Sequence, residues 1–284
     1  MSSALNLRTE IDDKSGFCFG VVGAISKAEN ELQANGELLC LGEIVHNDEE
    51  VKRLELQGMV NITKDELLHI QNKTILFRAH GEPPDSYETA LKNGNRIIDA
   101  SCPIILKLQK RFRASFEKGE NIYLYGKPNH PEVTGLNGQI GNKAIVFGHI
   151  EDLDLNTIPR KITLYSQTTM SIESFYEIVK KLEESGIEVT VKDTICRQVS
   201  HREPSLRQFS RKFNKIVFVA GKHSSNGSVL FNVCRQENPG TFFVSSPNEI
   251  SAGWFEKNDS VGICGATSTP MWLMKNVEEK LISL

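Results

Sequence analysis

The apolar positions of this chain fall into short β-rich runs that alternate with stretches of helical period. Runs such as TILF (74–77), IYLY (122–125) and IVFVA (216–220) are apolar throughout, the pattern of strands buried on both faces of a parallel sheet. Between such runs lie amphipathic segments. FYEIVKKLEESG (175–186) repeats its apolar residues at a spacing near 3.6 and ends in Gly, which predicts a helix. Strands and helices in strict alternation build β-α-β units.

The alternation itself recurs three times. Each unit opens with an extended segment and a cysteine: TEIDDKSGFCFG (9–20), RIIDASCPI (96–104) and VTVKDTICRQ (189–198). A helical pattern follows, then an apolar strand with a polar tail: LLCLGEIVHN (38–47), IYLYGKPNHPE (122–132) and IVFVAGKHSSN (216–226). His46 and His130 fall equally far behind Cys18 and Cys102, and His223 falls one residue short of that distance behind Cys196. A third strand runs into a helix start at VNITKDEL (60–67), AIVFGHIEDL (144–153) and TFFVSSPNEI (241–250). The fourth strand ends in polar groups in each case, TILFRAHG (74–81), ITLYSQTT (162–169) and SVGICGATST (260–269).

The expected fold is therefore α/β, with three similar small domains of parallel sheet, over 10–96 (Cys18), 97–192 (Cys102) and 193–284 (Cys196), in a pseudo-threefold trefoil. Ligand sites of parallel sheets lie at the carboxyl ends of the strands, where all the polar clusters fall. If those edges face inward, Cys18, Cys102 and Cys196 meet at one central cavity.

Composition narrows the chemistry. With 39% hydrophobic and 24% charged residues and a net charge of −3, nothing suggests general binding to nucleic acid or membrane. The basic stretch LKLQKRFRASFEK (106–118) has the spacing of a solvated helix face. No signal peptide is visible at the N-terminus and no apolar run approaches the length of a membrane span. A cytoplasmic chain is expected, with its six cysteines reduced, so metal or catalytic roles outrank disulfides.

Cys40, Cys234 and Cys264 sit in apolar strands or on a helical pattern and read as small buried hydrophobes. Cys18, Cys102 and Cys196 each follow a strand and precede a helix, and Pro103 suits a first helical position. No C-x-x-C pair is present. Three thiolates without a fourth protein ligand suit a [4Fe–4S] cluster with one open iron; a three-cysteine zinc site with water shares the geometry but not the redox chemistry. His46, His80 and His130, with Thr168, Ser224, Ser225, Asn226 and Ser268, form a set of donors suited to a phosphate or diphosphate. Glu132, if held in a dry pocket, is a proton source. His69 and His149 lie away from the strand ends and read as surface or structural residues.

Taken in order, GFCFGV (16–21), VHN (45–47), RAHG (78–81), DASCP (99–103), NHPEVTG (129–135), SQTT (166–169), TIC (194–196), SSN (224–226) and GATSTP (265–270) resemble the motifs of the 4-hydroxy-3-methylbut-2-enyl diphosphate reductases, the LytB-type enzymes that end the methylerythritol phosphate route to isoprenoids. The resemblance covers about residues 10 to 282. It implies a [4Fe–4S] cluster on Cys18, Cys102 and Cys196. It also implies diphosphate contacts from His46, His80, His130, Ser224, Ser225, Asn226 and Ser268. Thr168 is expected at the substrate's hydroxyl end, Glu132 as proton donor, and a ferredoxin or flavodoxin as one-electron donor.

One stretch departs from the family pattern. CRQVSHREPSL (196–206) has Val199 where the family has threonine, Glu203 for glutamine, and Pro204 inside an expected helix, although Arg202 is kept. Proline there should delay or kink the helix. Ser228 is expected to take no part in phosphate binding. Two other classes stay open on the residues: a quinolinate-synthase-like dehydratase, which would gather arginines at its cavity, and a non-catalytic metal or redox module.

Overall fold

The apolar runs form the strands that their pattern predicts. The computed structural model describes residues 5–284. Along the chain it gives β1 (Arg8–Ile11), α1 (Phe19–Asn35), β2 (Leu38–Leu41), α2 (Asp48–Glu55), β3 (Met59–Ile62), α3 (Lys64–Leu67), β4 (Thr74–Phe77), α4 (Pro84–Lys92) and β5 (Arg96–Asp99). Next come α5 (Pro103–Glu117), β6 (Ile122–Tyr125), α6 (Pro131–Gly138), β7 (Ile145–Phe147), β8 (Lys161–Ser166), α7 (Ile172–Glu184) and β9 (Glu188–Lys192). The chain ends with α8 (Arg197–Ser200), α9 (Arg202–Ser210), β10 (Lys215–Val219), α10 (Ser225–Glu237), β11 (Thr241–Val244), β12 (Ser260–Gly265) and α11 (Met271–Ile282).

Twelve strands make three four-stranded sheets, ordered β3-β2-β4-β5, β7-β6-β8-β9 and β11-β10-β12-β1, with every pairing parallel. The strand leading to each cysteine is the outer strand of the sheet before it. β5 lies beside β4 and β9 beside β8, whereas β1 pairs with β12, Arg8 opposite Ser260. The segment that opens the first sequence unit thus closes the third sheet, so the sheets are offset by one strand from the sequence repeats. Sequence order gives the succession of strands but not their partners.

Central strands are buried on both faces, as in β6 and β10, while the outer strands β1 and β5 are half exposed. Helix α7 places Phe175, Ile178, Val179 and Leu182 against Tyr125, Ile162 and Leu164 of its sheet, and α11 places Leu273, Met274, Val277 and Leu281 against Val217, Val261 and Ile263. Each such buried side chain contributes roughly 1.5–3 kcal/mol.

Two compact units result. One comprises the described residues up to Val22, Val45–Leu56 and Arg197–Leu284, and holds the sheet containing β1; the other comprises Gly23–Ile44 and Gln57–Cys196, and holds the other two sheets. Pro204 acts as its chemistry demands. It cannot donate to Ser200, and α8 stops at Ser200 before α9 restarts at Arg202. Among the described residues no helix is long and apolar enough to cross a membrane.

Candidate active site

The three cysteines at strand–helix junctions share one backbone arrangement. The N–H of Cys18 donates to Thr267 O (3.1 Å), that of Cys102 to Ala79 O (3.0 Å) and that of Cys196 to Thr168 O (2.9 Å). Every acceptor is the second residue past the end of the neighbouring strand, β12, β4 or β8. Each thiol thus stands beside the carboxyl end of a sheet, just ahead of a helix; Cys102 is the N-cap of α5, with Pro103 behind it. All three are partly exposed thiols, whereas Cys40, Cys234 and Cys264 are fully buried. Burial pushes the Cys40 thiol up to about 12 and raises that of Cys264 as well, which keeps both protonated and inert.

The Cys18 turn has a further brace within its unit. Ser15 Oγ donates to Asp12 Oδ2 (2.7 Å) and accepts from Gly265 N (2.9 Å). Arg202 Nη2 donates to Ser15 Oγ (3.0 Å) and Gly265 O (3.1 Å) and lies 3.7 Å from Asp12. The arginine kept from the family pattern therefore ties the start of α9, two residues before Pro204, to the loop that carries Cys18. Val199 is buried.

In the same unit, Ser224 is the N-cap of α10: its Oγ accepts from Gly227 N (3.0 Å) and lies 3.1 Å from Ser268 Oγ. Ser225 and Asn226 occupy the first two positions of that helix, both buried, and neither Ser225 Oγ nor Asn226 Nδ2 has a protein partner. Donors buried at a helix N-terminus without a partner are suited to an anion. The preceding Gly221 lets the His46–Asn47 loop approach, since a Cβ there would stand 2.3 Å from His46 O and 2.9 Å from Asn47 Cα. Asn47 caps α2 through its Oδ1 and keeps a buried Nδ2 that likewise has no protein partner. Ser228 Oγ is bonded to Ser224 O (3.2 Å), and His223 is exposed.

The other unit holds the acid. Glu132, the second residue of α6, is 2% exposed. Its Oε1 accepts from Thr168 N and its Oε2 from Thr168 Oγ1, both at 2.7 Å. Burial pushes its carboxyl up to about 7 against the opposing pull of those two bonds. His130 caps α6, its Nδ1 accepting from Glu132 N (3.2 Å), so the neutral ring carries its proton on Nε2. Its ring centroid lies 5.5 Å from that of His80. Gly135 makes this approach possible, because a Cβ there would lie 2.1 Å from Gly81 O. Gln167 accepts from Lys127 N (2.9 Å) and donates to Thr169 (2.7 Å), bracing the two strand ends.

Sequence reasoning named Glu132 and Thr168 separately and did not pair them, and it gave Gly135 and Gly221 no part. His69 and His149 are exposed, as expected of surface residues.

Partly exposed thiols stand at strand ends of this α/β protein in both units, with buried donors lacking a protein partner in one and a buried acid in the other. The model of the LytB protein family matches residues 10–282, and the chain belongs to that family. It is similar to 4-hydroxy-3-methylbut-2-enyl diphosphate reductases of Bacteroides fragilis (45% identity, covering 97% of both chains), Parabacteroides distasonis (45%, 98% of both) and Chloroherpeton thalassium (43%, 97% of this chain and 96% of that one). Among solved structures it resembles an (E)-4-hydroxy-3-methyl-but-2-enyl diphosphate reductase described as the terminal enzyme of the non-mevalonate pathway (TM-score 0.71, 31% identity, 98% and 99% covered). It also resembles the E-1-hydroxy-2-methyl-but-2-enyl-4-diphosphate reductase of Plasmodium falciparum (TM-score 0.85, 25% identity, 98% and 88% covered).

Proposed function

We propose that this chain reduces 4-hydroxy-3-methylbut-2-enyl diphosphate to isopentenyl and dimethylallyl diphosphate. The observation that carries the reading is the buried Glu132–Thr168 pair, a carboxyl able to hold a proton near neutral pH, in a chain that the LytB family model matches over residues 10–282.

Cys18, Cys102 and Cys196 are the ligands of a [4Fe–4S] cluster in this reading. Their fit rests on the donor set: three partly exposed thiols in equivalent backbone settings, apart from three buried ones. When bound, such a cluster supplies electrons one at a time and an open Lewis-acidic iron. The remaining work falls to the chain's own residues. Ser224, Ser225, Asn226 and Ser268, with His46, His80 and His130, bind the diphosphate and orient the carbon chain. Thr168 meets the substrate's hydroxyl end. Glu132, whose burial lets its carboxyl hold a proton up to about pH 7, passes that proton through a Thr168 hydroxyl turned to donate to the substrate oxygen, which leaves as water. A second proton, added at either of two carbons, and two electrons complete the reduction to the two products. A ferredoxin or flavodoxin delivers the electrons, and a reducing cytoplasm suits a site built on three thiolates.

A quinolinate-type dehydratase has less support, because Arg78 and Arg202 are committed to the carboxylates of Glu82 and Asp12. Anaerobic purification with iron and sulfide analysis, followed by a reductase assay with reduced viologen, tests the proposal. Turnover to both five-carbon diphosphates is expected. Iron without turnover would refute the substrate, and zinc without iron would refute the redox chemistry.

A further inference from the structure

The bonds around Glu132 recur in the third sheet with a carboxamide in place of the carboxyl. Asn226 occupies the second position of α10 as Glu132 does in α6, and Thr267 stands two residues past β12 as Thr168 stands two past β8. Thr267 N donates to Asn226 Oδ1 (2.9 Å) and Thr267 Oγ1 to the same atom (2.8 Å). The carbonyl of Thr267 receives the Cys18 N–H, as that of Thr168 receives the Cys196 N–H. The first sheet has Ala79 at the matching place, and with it no hydroxyl.

An amide has two ends of similar shape and opposite polarity. Two donors converging on one of them require that end to be the oxygen, since the flipped amide would set donor against donor. Nδ2 must then point away from Thr267, and it is buried with no protein partner on a residue only 4% exposed. A structural asparagine behaves differently here: Asn238 Nδ2 donates to both Ser210 O and Phe213 O. We propose that Thr267 is a positioning residue for the diphosphate site, fixing the Asn226 amide so that Nδ2 donates to the anion while its own carbonyl holds the Cys18 turn. This rests on the diphosphate reading of Ser224, Ser225 and Asn226.

The test compares wild type, Thr267→Val and Thr267→Ser as anaerobically purified full-length protein, titrated calorimetrically with inorganic diphosphate and assayed for KM and kcat. Thr267→Val keeps the backbone bonds and the shape but removes the hydroxyl. It is expected to weaken diphosphate binding about fivefold, the loss of one neutral hydrogen bond, and to raise KM equally with kcat and iron content unchanged. Thr267→Ser should restore binding. Wild-type affinity in Thr267→Val, or a fall in kcat without a rise in KM, would overturn the proposal alone. Absence of diphosphate binding by wild type would overturn the anion site itself and this proposal with it. Thr267→Ala, which removes the same hydroxyl without burying a methyl in its place, serves if the valine variant fails to fold.

Discussion

Replacing Glu132 by Gln should stabilise this protein, and by an amount that grows with pH. The carboxyl is raised from its ordinary value of 4.5 to about 7 because burial disfavours its charged form more than the two Thr168 bonds favour it. Between those values the folded chain holds a proton that the unfolded chain has lost. Stability from this group is therefore complete below about pH 4.5, falls as pH rises, and levels off above about pH 7. The whole change is about 3 kcal/mol, of which about 2 kcal/mol falls between pH 5.5 and 8.5. Glutamine keeps the geometry: its oxygen accepts from Thr168 N, and its amide nitrogen donates to a rotated Thr168 hydroxyl. It cannot ionise, so its stability lacks this dependence. Urea unfolding of both proteins in iron-free form, followed by circular dichroism, should show the variant's advantage widening by about 2 kcal/mol from pH 5.5 to pH 8.5. A constant gap would mean that Glu132 titrates as an ordinary carboxyl. The case for it as a proton store would then fail.

The same variant should lose kcat by a factor of about 10² or more with little change in KM; a pure affinity loss in steady-state kinetics would move Glu132 from proton donor to binding group. Wild-type kcat should decline above about pH 7 as Glu132 ionises, and a flat profile to pH 9 would contradict this. Serine in place of Cys18, Cys102 or Cys196 should abolish bound iron, measured per chain after anaerobic purification, whereas Cys40→Ser should keep it; a Cys102→Ser protein with full iron would remove that residue from the ligand set. Gly221→Ala sets a Cβ against the His46 backbone and should cost about 1–3 kcal/mol in unfolding experiments. The control Gly23→Ala, with open space around its Cβ, should be neutral or stabilising, and equal effects at the two sites would refute the close-approach argument.

Much of this was legible in the sequence because the strongest signals are local. All-apolar runs such as IYLY and IVFV marked the buried strands, Pro103 marked a helix start, and Pro204 marked the break between α8 and α9. The cysteines stood out because one recurred at the head of every repeat. The pairing of β1 with β12 was not legible, since Arg8 and Ser260 meet across almost the whole chain and nothing in RTEI names its partner. Nor was the Glu132–Thr168 bond, which joins a helix start to the end of another strand. Sequence supplies residue type at each end of such a contact, but only the register of β6 with β8 brings the two ends together. Gly135 and Gly221 were silent for a related reason: the backbone that excludes a side chain at each comes from a distant segment.

The repeats preserve backbone relations more strictly than side chains, and this explains how one architecture hosts different chemistry at each strand end. In each sheet the residue two places past β4, β8 or β12 accepts the N–H of one of the three cysteines, so the thiol's position does not depend on the side chain there. That side chain is then available for another task. As Ala79 it does nothing polar. As Thr168 it holds a carboxyl whose burial makes it a proton store. As Thr267 it holds a carboxamide whose other end is a donor. An acid and an amide at the same helical position differ by one group, yet the first can give up a proton near pH 7 and the second cannot. Exchanging them, as in Asn226→Asp, would place a second ionisable carboxyl among the anion donors, and its charge would oppose the diphosphate instead of binding it.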